Sequence, residues 1–468
     1  MASDSIPLWR RGAQDLARAI RARETNAEEV VHAHLDRIEA VNSGVNAVTV
    51  VLREEALAEA RAADRELASG ATLGPLHGVP FTVKENLDLA GSATTQGLRA
   101  LESSRPEHDA PIAAQLRRAG AIPIGRTNLP DLGLRWHTDN ELRGPTRNPW
   151  DASRTPGGSS GGEASALALG MTPLGLGNDY GGSLRWPSQC CGTAALKPTT
   201  GRMARYGVAP QEGAITLQLY AVDGPMARHV RDLRLALASM SAGDARDPWW
   251  TPAPLEGNPR PSRVAVVRDP DGLGVDRDVA AGVTRAADAL ADAGYAVEEA
   301  APPSTERGMR LWAESLCPEI RVDLLPLMKS IGGRDALRFL EDFLDGVPDA
   351  GLQGYVRALA ERNALAREWA AFHERYPVVL GPVRTEPPFP VGRDLAGRKA
   401  VEEILRSMRL VVTVNLLGLP AVAVPVGVAD GLPQGVQLIG ARFREDVCLA
   451  AAEAIEQKLG TLTPIDAG

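Results

Sequence analysis

Residues 154–198 read RTPGGSSGGEASALALGMTPLGLGNDYGGSLRWPSQCCGTAALKP, ten glycines and five serines set between helix and strand signals. Glycine at this density lets the backbone turn tightly or approach another group closely. The loop 157–162 runs into a helical pattern over 163–170, so its amides lie at a helix N-terminus, where an anion is favoured. Three chemistries compete for it. A phosphate-binding loop requires Lys and then Ser or Thr after the glycines, and Glu163 stands there instead. Residues 158–162 match GxSxG with Ser160 at the centre, but 148–156 is turn material where a nucleophile elbow needs a strand, and His229 and His373 are the histidines that follow. The third chemistry uses a base other than histidine.

Lys84 supplies such a base. It ends the strand-like run Phe81-Thr82-Val83-Lys84, where burial disfavours the charged amine and lowers its pKa. Of 51 basic residues only Lys84, Lys197, Lys329, Lys399 and Lys458 are lysine. Arginine cannot deprotonate, so a lysine kept in an apolar strand stands out as a proton acceptor.

These residues carry a resemblance to the amidase signature family. PLHGVPFTVKENLD (75–88) resembles its lysine segment and residues 155–203 its serine-rich signature. VNLLGLPAVAVPVGVADGLPQGVQLIG (414–440) resembles the strands that complete its sheet. About two thirds of the chain is covered. The resemblance implies an α/β fold, the amidase signature fold, with a central mixed twisted β-sheet covered on both faces by α-helices. It also implies a catalytic triad: Ser183 as nucleophile, Ser159 as a bridging serine held by a cis peptide, and Lys84 as general base. Glycines at 181 and 182 let the N–H groups of Tyr180, Gly181, Gly182 and Ser183 converge as an oxyanion hole. Ser160, Asp179 and Arg185 read as supporting residues, the last two hydrogen-bonding the nucleophile loop into shape. Asn178 and Tyr180 depart from the serine or threonine and the threonine that the family commonly has there. Leu134, Trp136, Tyr180 and Trp186 are candidate substrate contacts. Leu311, Trp312, Leu316, Leu324 and Phe339, within a variable region over 211–375, make the pocket apolar.

The expected reaction is hydrolysis of a carboxylic amide through a Ser183 acyl-enzyme, with hydrazides, anilides and esters as neighbouring substrates. Two rivals stand beside it: a glutamine-dependent amidotransferase component working with a partner protein, and a silent binding protein on the same fold. The first expects an acidic residue ahead of 414–420, and MRLVVT (408–413) has none. No cofactor is implied, and a homodimer is.

The rest of the chain is consistent with one domain of 468 residues. Its parts are amino-terminal helices over 1–73, the signature core over 74–210, the variable region and closing strands over 376–468. Helical spacing runs through 14–69, with Thr25 and Asn26 as cap candidates. A proline-rich connection at 250–262 precedes a strand over 263–267, a helix over 276–293 and a strand over 295–299. Residues 305–375 read as helical and 377–382 as a strand. The uncharged stretch 410–429 holds Asn415, Gly418, Pro420, Pro425 and Gly427, so two buried strands around a turn are expected rather than a membrane span. The net charge of −8 argues against a nucleic-acid partner. The amino terminus, with Asp4 and Pro7, reads as no secretory leader. Cys190, Cys191, Cys317 and Cys448 lack CxxC spacing, and His32 and His34 point to different helix faces, so neither a disulfide framework nor a metal site is expected. A reducing, cytoplasmic compartment follows.

Overall fold

The computed structural model describes residues 6–207, 212–258 and 262–466. Asp4, the expected boundary at 210/211 and residues 259–261 of the proline-rich connection lie outside the described residues.

Eleven strands form one sheet: β1 Val48–Val51, β2 Pro80–Lys84, β3 Ile122–Thr127, β4 Leu174–Asp179, β5 Ala194–Lys197, β6 Val222–Ala227, β7 Arg263–Val266, β8 Ala296–Glu299, β9 Val378–Pro382, β10 Ala421–Ala429 and β11 Leu432–Gly440. Their spatial order is β1-β3-β2-β4-β6-β5-β10-β11-β9-β7-β8. β2 pairs in parallel with β3 and β4, and β7 with β8 and β9, whereas the other ladders are antiparallel. The sheet is therefore mixed, as expected.

Alternation along the strands divides the interior into two cores. Val422, Val424 and Val426 of β10 join Val264 and Val266 of β7 in one core, packed by helices such as Ala27–Val45, Arg277–Asp292 and Glu445–Leu459. Ala421, Ala423, Ala265 and Val379 point into the other, closed by Thr305–Glu319, Arg334–Asp345 and Gly351–Arg375. Helices thus cover both faces. The expected βαβ unit is present as β7, Arg277–Asp292 and β8, its helix capped by Asp276, whose carboxylate accepts from the N–H groups of Asp278 and Val279. Asn26 caps Ala27–Val45 by accepting from Glu29 N–H.

Two expectations need correction. Residues 410–429 are not two strands: Arg409–Leu417 is a helix, ended by Gly418 at φ 64°, and β10 follows. Every residue of that helix is buried, so its sequence carries no amphipathic period to separate it from a strand. Within the run 14–69, Asn46 turns left-handed at φ 53° and releases β1 from the helical pattern. No helix among the described residues is long and apolar enough to cross a membrane.

Candidate active site

β2 and β4 lie side by side in parallel, Thr82 opposite Gly175 and Val83 opposite Leu176. Their carboxyl ends deliver Lys84 and Asn178 to one place. Between them sits the serine loop, with Gly158–Ser159 in cis, entering the helix Gly161–Ala168. β4 can accept this loop because its facing positions are glycine: a Cβ on Gly177 would lie 2.8 Å from Ser160 Oγ, and one on Gly175 would collide with Glu163.

The Lys84 amine is buried and meets three oxygens: Ser159 Oγ at 2.7 Å, Ser160 Oγ at 3.0 Å and Asn178 Oδ1 at 2.7 Å. Burial pushes its pKa down to about 7, against the opposing pull of Asp179, Asp223 and Glu163. Glu163 is itself raised to about 7 by burial, and accepts hydrogen bonds from Thr82 and Thr127. A neutral amine has two N–H groups and one lone pair. Asn178 Oδ1 can only accept, and Ser160 Oγ lies 3.5 Å from Asn178 O, to which it donates. That leaves Ser159 as the hydroxyl placed to donate to the amine. Ser160 is fully buried and so belongs to this cluster, not to the surface.

Ser183 lines the same cavity as Ser159. Its loop is shaped by Asp179. That carboxylate accepts from Gly182 N–H at 2.8 Å, Leu184 N–H at 3.2 Å and Asn415 Nδ2 at 2.9 Å. Arg185 donates to both of its oxygens, at 3.0 and 3.1 Å. Burial raises the Asp179 carboxyl, but the Arg185 guanidinium outweighs it and holds the group below the usual carboxylate range. Gly182 therefore departs from the expected oxyanion donors: its N–H is engaged by Asp179, which leaves those of Tyr180, Gly181 and Ser183.

The cavity, about 250 Å³, is walled by Trp136, Tyr180, Trp312, Phe339 and Phe343. Trp136 meets Phe339 edge-on with ring centres 5.5 Å apart, and Trp312 meets Phe343 at 6.1 Å. Leu134, Leu316 and Leu324 extend this apolar wall, and Arg205, Glu212, Glu319 and Asp323 also line the cavity. Two expected contacts fall elsewhere. Trp186 is fully buried outside the lining, stacked on Phe389 at 5.9 Å, and Leu311 packs into the adjacent core. Sequence reasoning does not single out Phe343, Asn178 as a partner of Lys84, or Glu163. The pairing of β2 with β4 is the signal that would expose the last two, since it stacks their neighbourhoods.

The cysteines are buried free thiols, and no cluster of metal ligands occurs among the described residues.

Residues 29–449 match the family Amidase. The chain is 44% identical over 461 residues to the indoleacetamide hydrolase of Bradyrhizobium diazoefficiens, covering 97% of this chain and 88% of that protein. It is 35% identical over 488 residues to a glutamyl-tRNA(Gln) amidotransferase subunit of Acidothermus cellulolyticus, covering 96% and 94%. Its fold superposes on a bacterial aryl acylamidase of the amidase signature family with a TM-score of 0.85 at 26% identity, covering 98% of each chain. The chain belongs to the amidase signature family and is a hydrolase of carboxylic amides.

Proposed function

We propose that the protein hydrolyses primary amides of arylacetic type through an acyl-enzyme on Ser183. The observation that carries this is the 2.7 Å contact between Ser159 Oγ and a buried Lys84 amine, opening onto a cavity walled by aromatic rings. Ser183 Oγ bonds to the amide carbon while its proton passes to Ser159, whose own proton passes to Lys84 Nζ. The oxyanion is met by the N–H groups of Tyr180, Gly181 and Ser183. On collapse the C–N bond breaks, and the nitrogen takes a proton from Lys84 through Ser159 and leaves as ammonia. Water then attacks the ester by the same relay, returning the carboxylic acid and Ser183.

The aromatic walls favour an aryl acyl group, because ring edges and faces offer complementary charge to another ring. The similarity to an indoleacetamide hydrolase supports the same class. Similarity to an amidotransferase component makes glutamine the competing substrate, but glutamine has no ring to meet the aromatic wall of Trp136, Trp312, Phe339 and Phe343. The four free thiols support a reducing, cytoplasmic setting, and the expected homodimer would appear in light scattering at twice 49.6 kDa.

The test is turnover of indole-3-acetamide, phenylacetamide, propionamide, an anilide, a hydrazide, an ester and glutamine by wild type and Ser183→Ala. Turnover of the arylacetamides that vanishes in the variant is expected. Preference for glutamine, or survival of turnover in the variant, overturns the proposal.

A further inference from the structure

Two tryptophans do more than wall the cavity. Trp312 Nε1 donates to the carbonyl of Tyr180 at 3.2 Å, and Trp136 Nε1 donates to the carbonyl of Gly181 at 3.1 Å. These carbonyls belong to consecutive peptide groups of the nucleophile loop. A trans peptide is planar, with its C=O and N–H directed oppositely. Holding the Tyr180 carbonyl on the Trp312 side therefore directs Gly181 N–H to the other side. The next peptide is held at both ends, its carbonyl by Trp136 and its N–H by Asp179. Gly181 has no side chain to interfere, and a Cβ there would lie 2.9 Å from the Trp312 ring.

Each tryptophan is anchored in turn, Trp136 through its main chain and Trp312 through its ring. Trp136 receives Trp186 Nε1 on its own carbonyl at 3.0 Å, which accounts for the buried Trp186. Trp312 packs against Tyr180, whose hydroxyl bonds Thr216 at 2.7 Å, and Thr216 is tied to Glu319.

From these contacts we infer that Trp312 and Trp136 are positioning residues of the reaction: the Trp312 N–H fixes the peptide plane that presents the Gly181 donor to the oxyanion, and the Trp136 N–H fixes the adjoining Gly181–Gly182 plane that leads into Ser183. The inference rests on the acyl-enzyme reading above. Neither N–H touches the reacting atoms, and each acts through a loop carbonyl. Their contribution belongs to the transition state, where a donor must meet the oxyanion rather than the ground-state carbonyl.

The experiment compares wild type with Trp312→Phe and Trp136→Phe, which keep an aromatic wall and remove the donor. A Trp312→3-benzothienylalanine protein retains the bicyclic shape with sulfur in place of N–H, and so separates donor loss from repacking. Two readouts are taken: the second-order rate at which an alkyl fluorophosphonate labels Ser183, and kcat and KM on phenylacetamide. Labelling and kcat are expected to fall about 10- to 100-fold in all three proteins, with KM within about threefold of wild type. An unchanged labelling rate in the benzothienylalanine protein overturns the proposal, as does a rise in KM that accounts for the whole loss. A wild type that is not labelled at Ser183 removes the acyl-enzyme reading, and the proposal falls with it.

Discussion

Arg185 holds Asp179 by two parallel hydrogen bonds, Nε to Oδ2 at 3.0 Å and Nη2 to Oδ1 at 3.1 Å, with neither side chain reaching solvent. This pair lies immediately beside Ser183 and spends its remaining capacity on the loop backbone, on Asn415 and Gln437, and on the Val411 carbonyl. Removing one member leaves a charge buried without its partner, which costs about 3–5 kcal/mol. Arg185→Met should therefore lower the urea midpoint sharply and abolish Ser183 labelling. Arg185→Lys should fail nearly as badly, because an ammonium cannot reproduce the two-point fork.

The catalytic pH profile follows from Lys84. Its amine accepts a proton only when neutral, and burial brings its pKa to about 7. Activity should rise with pH through that region and level off above it. Glu163 titrates beside it, so the apparent value belongs to the cluster rather than to one group. Measuring kcat/KM from pH 5.5 to 9 checks this, and activity that falls across the same range contradicts it. Lys84→Arg should be inert at every pH.

Lys197 offers a stability test free of catalysis. Burial lowers its pKa to about 7, and its amine donates to the carbonyls of Pro198 and Leu419. Above that value the folded protein has released a proton that the unfolded chain still binds. The unfolding free energy contributed by this group therefore rises with pH. Comparing urea unfolding of wild type and Lys197→Met at pH 7.0 and 8.5 should show a steeper increase in wild type.

Within the serine cluster the three hydroxyls should separate. Ser183→Ala is expected to lose turnover by at least about 1000-fold while keeping its unfolding transition. Ser159→Ala should approach that loss. Ser160→Ala, which removes one contact at 3.0 Å from Lys84, should retain most activity, within about tenfold. Equal losses at Ser159 and Ser160 would show that either hydroxyl relays the proton.

Phe343 meets Trp136 and Trp312 edge-on across the cavity and stacks on Phe339. Phe343→Ala should raise KM for phenylacetamide about 5- to 10-fold, the loss expected for one aromatic contact. Propionamide, which does not reach that wall, should be hydrolysed as before. Steady-state kinetics on the pair of substrates decides it.

Legibility in the sequence followed physical distinctness. The helix Arg277–Asp292 shows helical spacing because one face of it meets water, and β7 and β9 are legible as short valine-rich apolar runs bounded by charged residues or proline. The helix Arg409–Leu417 is enclosed on all sides and so lacks any such contrast. Among site residues, Lys84 stands out as a lysine kept in an apolar strand, whereas Ser159 and Ser183 are reached through the family resemblance, the local GxSxG pattern pointing to Ser160 instead. Trp186 does not declare its place, since a bulky ring just beyond a reacting loop can face either cavity or core, and only the stacking of Phe389 decides. Gly182 is ambiguous for a related reason. A glycine permits several directions for its N–H, and the Asp179 carboxylate that selects one becomes its neighbour only in the folded loop.

Every group to which the proposed reaction gives a proton or a bond lies between residues 84 and 183, yet Arg185 is clasped by Asn415 Oδ1 at 2.7 Å and by Gln437 Oε1 at 2.8 Å. A chain emerging from the ribosome thus carries its complete chemical apparatus long before it can use it. The nucleophile loop acquires its final tether when the hairpin β10–β11 arrives, so the growing polypeptide should stay inert towards amides until that hairpin has been made.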